Sequence, residues 1–183
     1  MKKDIQSAIK NMVAGVAHWM AYRDEISIIK PIEADAIFTA ADILQAKLPS
    51  GYTIKREITK TSLPIVGKHR IDLAIISQIT NNYVCLIEFK LADATNGGYE
   101  GDVSKLKNIK QNNSNIDCLV VILYRKACPC DKPKELVNSE GFAQRGIVKI
   151  GKNKNSVKVR RVCNSFTSSK PPKSKKAICI EVL

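Results

Sequence analysis

The spacing of apolar residues changes near residue 50, and that change limits the fold more than any other feature of the chain. Before it, Ile5, Ile9, Met12, Val13, Val16 and Met20 recur at helical spacing on one side of residues 3–22. A second helix is expected after Lys30, with Pro31, Glu33 and Asp35 suited to its first turn, running to about Lys47, where "PSG" stops it. Beyond that point the period falls to two. "YTIKREI" (52–58) alternates like a half-exposed strand, while "HRIDLAIIS" (69–77) and "NYVCLIEFK" (82–90) are richer in apolar residues and so more central. The short connection "QITNN" predicts an antiparallel hairpin between those two.

After the loop "ADATNGGYEG", "DVSKLKNIKQ" (102–111) reads as a short helix with Val103, Leu106 and Ile109 inward, and "DCLVVILY" (117–124) as a buried strand. Strand, helix, strand predicts a crossover that leaves the last strand parallel to its partner. The expected class is α/β: a mixed central sheet flanked by helices, in the order α-α-β-β-β-α-β. Further on, a weak helix is expected in "KELVNSEGFA" (134–143) and two strands in "RGIVKIGKNKNSVKVRRV" (145–162), joined at "KNKN". A polar loop "NSFTSSKPPKSKK" (164–176) and a final strand "AICIEVL" (177–183) complete the pattern. With 183 residues the chain suits one domain, with an N-terminal helix over 1–30, a core over 31–124 and a basic β-rich extension over 133–183.

Apolar residues make up 44% of the chain, a globular composition, and the formal net charge is +13. So large an excess of positive charge points to a polyanionic partner, nucleic acid before an anionic membrane surface. No apolar run approaches the roughly 18 residues of a membrane helix. The N-terminus does not read as a secretory signal, because Asp4, Gln6 and Ser7 interrupt its basic start. The expectation is a cytoplasmic protein, with Cys85, Cys118 and Cys179 as reduced packing residues. Cys128 and Cys130 form a C-x-C whose spacing does not suit a zinc knuckle.

Two of the apolar strands carry charges that need a reason. In "CLIEFKLAD", Glu88 and Lys90 share a strand face with Val84 and Leu86, and Asp72 interrupts the neighbouring run in the same way. Centring the turn near Thr80 pairs Ile76 with Val84 and sets Asp72 opposite Glu88. Two adjacent carboxylates resist ionising together unless a cation lies between them. A hard divalent ion fits, since Mg²⁺ takes one or two carboxylates and completes its shell with water and phosphate oxygens. Lys90 could then orient an attacking water or stabilise charge on a phosphate. A third acid, Glu33, falls on the stripe of Ile37, Ala40 and Leu44, where an acid is out of place unless it faces something polar.

These residues resemble the PD-(D/E)XK nuclease superfamily, the restriction-endonuclease-like fold. "RIDLAII" followed by "LIEFK" matches its motif: Asp72 is the first acid, Glu88 the second and Lys90 the lysine, with 15 residues between the acids. Ile71 stands where the family name has Pro, and Glu33 matches the helical acid that many members carry. The resemblance covers roughly residues 31 to 124. It implies a restriction-endonuclease-like α-β-β-β-α-β core and a metal-dependent endonuclease that hydrolyses phosphodiester bonds, in DNA before RNA. It also implies Mg²⁺, with Mn²⁺ as the alternative, held by Asp72, Glu88 and the Phe89 carbonyl; Lys90 and Glu33 complete the catalytic set. Pairing of two chains into a homodimer is compatible with this reading.

Simpler readings stand beside it. Glu88 and Lys90 could form an exposed strand-end salt bridge, Asp72 could cap a turn, and Glu33 could favour a first helical turn for electrostatic reasons alone. A non-catalytic nucleic-acid-binding subunit of the same fold is the runner-up, and a structural protein with a basic surface is the third reading. Between Arg145 and Lys176 there are eleven basic residues and no acid, an array suited to a phosphate backbone. Lys158, Arg160 and Arg161 are the expected contacts, with Lys158 and Arg160 on one strand face, and Lys105 is expected to approach bound phosphate from the helix over 102–111. Only Phe166 interleaves the C-terminal charges, which favours duplex backbone contact over a stacking platform.

Overall fold

Helix α1 spans Lys3–Ile26, one turn longer than the sequence pattern. All six of its expected inward residues, Ile5 to Met20, are buried. Helix α2 spans Glu33–Lys47 and buries Ala36, Ala40, Ala41 and Leu44. These small residues let α1 and α2 approach closely. At Gly15 of α1 an added Cβ would lie 2.5 Å from the Ile43 δ-methyl, so a larger side chain there would have to move it. The computed structural model describes residues 1–26, 32–59, 70–92, 99–124, 134–140, 142–151, 153–166, 168 and 174–183. Pro31, the loop after Asp93 and the C-x-C of Cys128 and Cys130 lie outside them.

The strands are β1 (Tyr52–Ile58), β2 (Ile71–Ser77), β3 (Tyr83–Ala92), β4 (Asp117–Tyr124), β5 (Ile147–Ile150), β6 (Asn155–Phe166) and β7 (Ser174–Val182), with helix α3 at Glu100–Asn112. They form one mixed seven-stranded sheet in the order β1-β2-β3-β4-β7-β6-β5, flanked by the three helices. β3 and β4 run parallel, joined through α3, as the strand–helix–strand pattern requires. The other pairings are antiparallel.

The sheet separates two cores. Leu73, Ile75, Cys85, Ile87, Phe89, Leu119 and Val121 pack against α1 and α2. Ala74, Leu86, Val120, Ile122, Ile178 and Ile180 pack against Val103, Leu106 and Ile109 of α3. β4 is buried on both faces, which is why "DCLVVILY" shows no alternation. The cysteines at 85, 118 and 179 are buried packing residues, and Cys163 joins them.

Three expectations in the C-terminal third need correction. Residues 134–143 contain no helix among the described residues; they form turns and a single bridge, Val137 to Ala143. The Asn138 side chain accepts from the N–H groups of Glu140 and Phe142, competing with helical backbone bonds. The two ends of the polar stretch 164–176 are strand, since β6 continues to Phe166 and β7 starts at Ser174. The basic run is also less exposed than its composition suggests: Lys175 and Lys176 are 3% and 0% exposed. Its missing acids come from elsewhere in the fold, as Asp24 of α1 pairs with Lys175 at 3.1 Å and Glu181 of β7 pairs with Arg160.

The Lys175–Asp24 pair ties α1 to the middle of the sheet and leads to a stability prediction. Removing one partner of a buried ion pair costs about 3–5 kcal/mol, less where one partner keeps some water, as Asp24 does. Asp24→Ala is therefore expected to destabilise the fold by about 2–3 kcal/mol in urea unfolding. An unchanged midpoint would mean that Lys175 is held by its other contacts.

Candidate active site

The β2–β3 ladder pairs Leu73 with Ile87, Ala74 with Leu86 and Ile75 with Cys85. This is the register inferred from the turn, and the ladder ends one step short of Asp72 and Glu88. At the turn end the inference fails. Ile76 pairs with Tyr83 and not with Val84, because a bulge after Ile75 absorbs one residue before the hairpin closes. The slip is confined to the turn; beyond the end of the ladder at Leu73 and Ile87, Asp72 and Glu88 lie close enough to act on each other's charge.

At Asp72 the strands stop pairing regularly. The Phe89 N–H donates to Asp72 Oδ2 at 2.8 Å instead of to a β2 carbonyl. Two residues on, the Leu91 N–H donates to Glu33 Oε2, also at 2.8 Å. N–H groups two apart on a strand point to the same edge, about 7 Å from each other. Asp72 from β2 and Glu33 from α2 therefore cap consecutive donors on one edge of β3. The carbonyl of Phe89 projects from that same edge, beside Asp72. On the other side of Asp72, β1 pairs Arg56 with Leu73 and Ile58 with Ile71, and Glu57 between them takes a positive φ of 51°. A left-handed glutamate is unusual outside strained, functionally constrained segments.

Glu88 is only 3% exposed, so the exposed strand-end salt bridge is excluded for it. Its partner is Lys105 of α3, whose Nζ lies 2.7 Å from Glu88 Oε1, 3.6 Å from Asp102 and 3.0 Å from the Arg70 carbonyl. Lys105, expected at the phosphate backbone, thus turns its ammonium inward as counter-charge to the acid pair. The sequence held a faint signal for this: Lys105 adjoins the inward residue Leu106 and follows Asp102 by three. Lys90 is half-buried and, by strand alternation, on the Glu88 face, with no ion pair or hydrogen bond among the described residues.

The electrostatics are those of a crowded acid pair. Burial, and then the charge of Asp72, push the Glu88 carboxyl up to about 8, against the pull of Lys105. Burial also raises Asp72, opposed by the Phe89 N–H, by Lys105 and by a hydrogen bond from Glu88. Two neighbouring carboxylates beside the Phe89 carbonyl oxygen are a donor set that suits a hard divalent ion, and Lys105 Nζ, 2.7 Å from Glu88 Oε1, now supplies the cation there. Among the described residues no three acidic, His or Cys groups converge at metal-ligand range, so Glu33 stands beside the pair and not within it.

The other expected contacts lie elsewhere. Lys158 and Arg160 alternate with the α3-side residues Val157 and Val159, and so face α1. A bulge between Val159 and Arg161 brings Arg161 to the same side, where its Nε lies 3.3 Å from Cys163 Sγ. All three basic residues are on the sheet face opposite Glu88 and three strands away from β3, about 14 Å. Compared with known protein families, curated proteins and solved structures, the chain matches none.

The raised Glu88 carboxyl predicts a pH dependence. The folded chain holds this proton up to about 8, whereas the unfolded chain releases it near 4.5. Stability from this group is complete below the unfolded value and is lost as pH rises through the folded one. In metal-free buffer the melting temperature should fall by about 5 °C or more between pH 5 and pH 8. Glu88→Gln should flatten that fall, and equal slopes in the two proteins would remove the acid-pair description.

Proposed function

We propose that this chain is a metal-dependent nuclease with a restriction-endonuclease-like core, hydrolysing phosphodiester bonds in nucleic acid, DNA in preference to RNA. The observation that carries this is the meeting of Asp72 and Glu88 where β2 and β3 part, with Lys90 two residues further along the same strand face. The capping of the next edge donor by Glu33 supports it, as does the α-β-β-β-α-β order of α2 to β4. A buried acid pair on a sheet adds nothing to folding that two apolar residues would not, so its presence asks for a chemical reason.

Asp72, Glu88 and the Phe89 carbonyl are the groups that would hold Mg²⁺ or Mn²⁺. Such an ion supplies charge stabilisation to a phosphate and acidity to a bound water. The chain's own residues do the rest. Lys90 directs an ammonium to the acid side of the sheet, where it can orient the attacking water or meet charge developing on the phosphate. Glu33 holds the far end of the β3 edge by accepting from Leu91, fixing the strand on which Glu88 and Lys90 stand. Lys105 places an ammonium against Glu88, beside the acid pair.

One observation favours a second reading, a nucleic-acid-binding subunit without catalysis. Lys105 already supplies a positive charge to Glu88, so the pair can be compensated without an ion. Plasmid nicking by the pure chain separates the two readings. In the nuclease reading, nicking requires Mg²⁺ or Mn²⁺ and is lost in Asp72→Asn and Glu88→Gln, while the metal-free melting temperature of those variants holds or rises. Lys90→Ala also stops nicking but keeps ion binding, seen as a Mg²⁺-induced rise in melting temperature. Full activity in Glu88→Gln would overturn the nuclease reading. The same ion-independent binding in wild type and all three variants, without nicking, would establish the second.

A further inference from the structure

Between α2 and edge strand β1 runs a groove of about 520 Å³ that ends at Asp72. That volume falls in the ~300–1,000 Å³ range of small-ligand sites. Phe38 rises from its helical wall with 54% of its surface exposed, beside Ile37 and Ala34. Opposite, the Arg56 guanidinium lies over the Phe38 ring, 4.4 Å from its centroid. The lining acid Glu57 is neutralised by Arg70 at 2.5 Å. The groove therefore carries an exposed aromatic ring stacked on a guanidinium, with Asp72 of the proposed catalytic pair in its lining.

That combination has a specific chemical meaning. A large exposed aromatic costs solvation unless something covers it, and one ring face is already held by a guanidinium. The cation stack fixes the ring's orientation in advance, so little rotamer freedom is lost when the other face is covered. A flat π-system carrying negative charge on its flank suits both features: a base for the ring, a phosphate for Arg56. Bases inside a duplex do not offer a free face, whereas those of a single strand do. A peptide strand added to β1 is disfavoured, because Lys55, Arg56 and the left-handed Glu57 guard that edge against regular pairing.

Building on the nuclease reading, we propose that the α2–β1 groove binds an unpaired nucleobase of the strand to be cut. Phe38 is its stacking platform, and Arg56 holds a flanking phosphate. The substrate is then nucleic acid with a single-stranded stretch leading to the scissile phosphate, as in a flap, a branch or an open end. The C-terminal charges, interleaved only by Phe166, favour duplex backbone contact; the aromatic paired with a guanidinium stands on α2 instead.

The test uses the full chain with Ca²⁺ in place of Mg²⁺, and a short fluorescein-labelled single strand beside the duplex of the same sequence. Fluorescence anisotropy should show Phe38→Ala weakening single-strand binding by about 5- to 150-fold, the usual range for loss of one base stack, with duplex binding unchanged. Phe38→Trp should retain the affinity, and Arg56→Gln should lower the salt slope by about one. Thermal melts check that both Phe38 variants are folded, as half-exposure of the ring leads one to expect. Unchanged single-strand binding in Phe38→Ala, or an equal loss on duplex, overturns the groove proposal and leaves the nuclease reading intact if the wild type still nicks plasmid. Failure of the wild type to bind either probe or to nick overturns both.

Discussion

A carboxyl group with almost no water around it organises this molecule. Glu88 lies in the middle of an apolar sheet, beside a second acid, and each element near it offsets part of that cost. α3 sends Lys105 back across the sheet face, β2 turns Asp72 onto the Phe89 N–H, and α2 brings Glu33 to the Leu91 N–H. The β2–β3 ladder gives up regular pairing at this point, so backbone donors of β3 are satisfied by side chains. Placing acids on strand donors opens an edge that an uninterrupted ladder would close, and that edge is where an ion and a phosphate could meet.

The two faces of the sheet divide the work. The α1–α2 face is packed with small and branched apolar residues and gives rigidity. The α3 face carries the acid pair, and the margin between α2 and β1 carries the aromatic-cationic groove. The exposed charges of β6 lie on the α1 side and three strands away, so they cannot contact the phosphate that the acids would address. They add to the net charge of +13, whose field reaches over roughly a Debye length and needs no shared face.

Much of the fold was legible because burial writes itself into periodicity. The six inward residues of α1, the hairpin of β2 and β3, and the parallel β4 after α3 each follow from one face of an element meeting a core. The acid pair was legible for the opposite reason. Asp72 and Glu88 break apolar runs, and a broken rule in a buried strand marks a place where something other than packing was needed. The weak helix at 134–143 was misread because apolar spacing there is short and Asn138 satisfies backbone donors itself. The bulges after Ile75 and Val159 were invisible, since an extra residue in one strand is defined only by the strand across from it.

Sequence alone determined which residues are apolar, where their period changes and which charges interrupt them. From these follow the α/β class, the number of central strands and the candidates Asp72, Glu88, Lys90 and Glu33. Tertiary structure decided who meets whom. It inserted β7 between β4 and β6, supplied Asp24 and Glu181 to a basic run that has no acids of its own, and turned Lys105 from solvent to Glu88. It also set Phe38 beside Arg56 and led their groove to Asp72. The physical reason is range: periodicity records each residue's relation to its own helix or strand, whereas ion pairs and grooves are made between residues that only the closed sheet brings within a few ångströms.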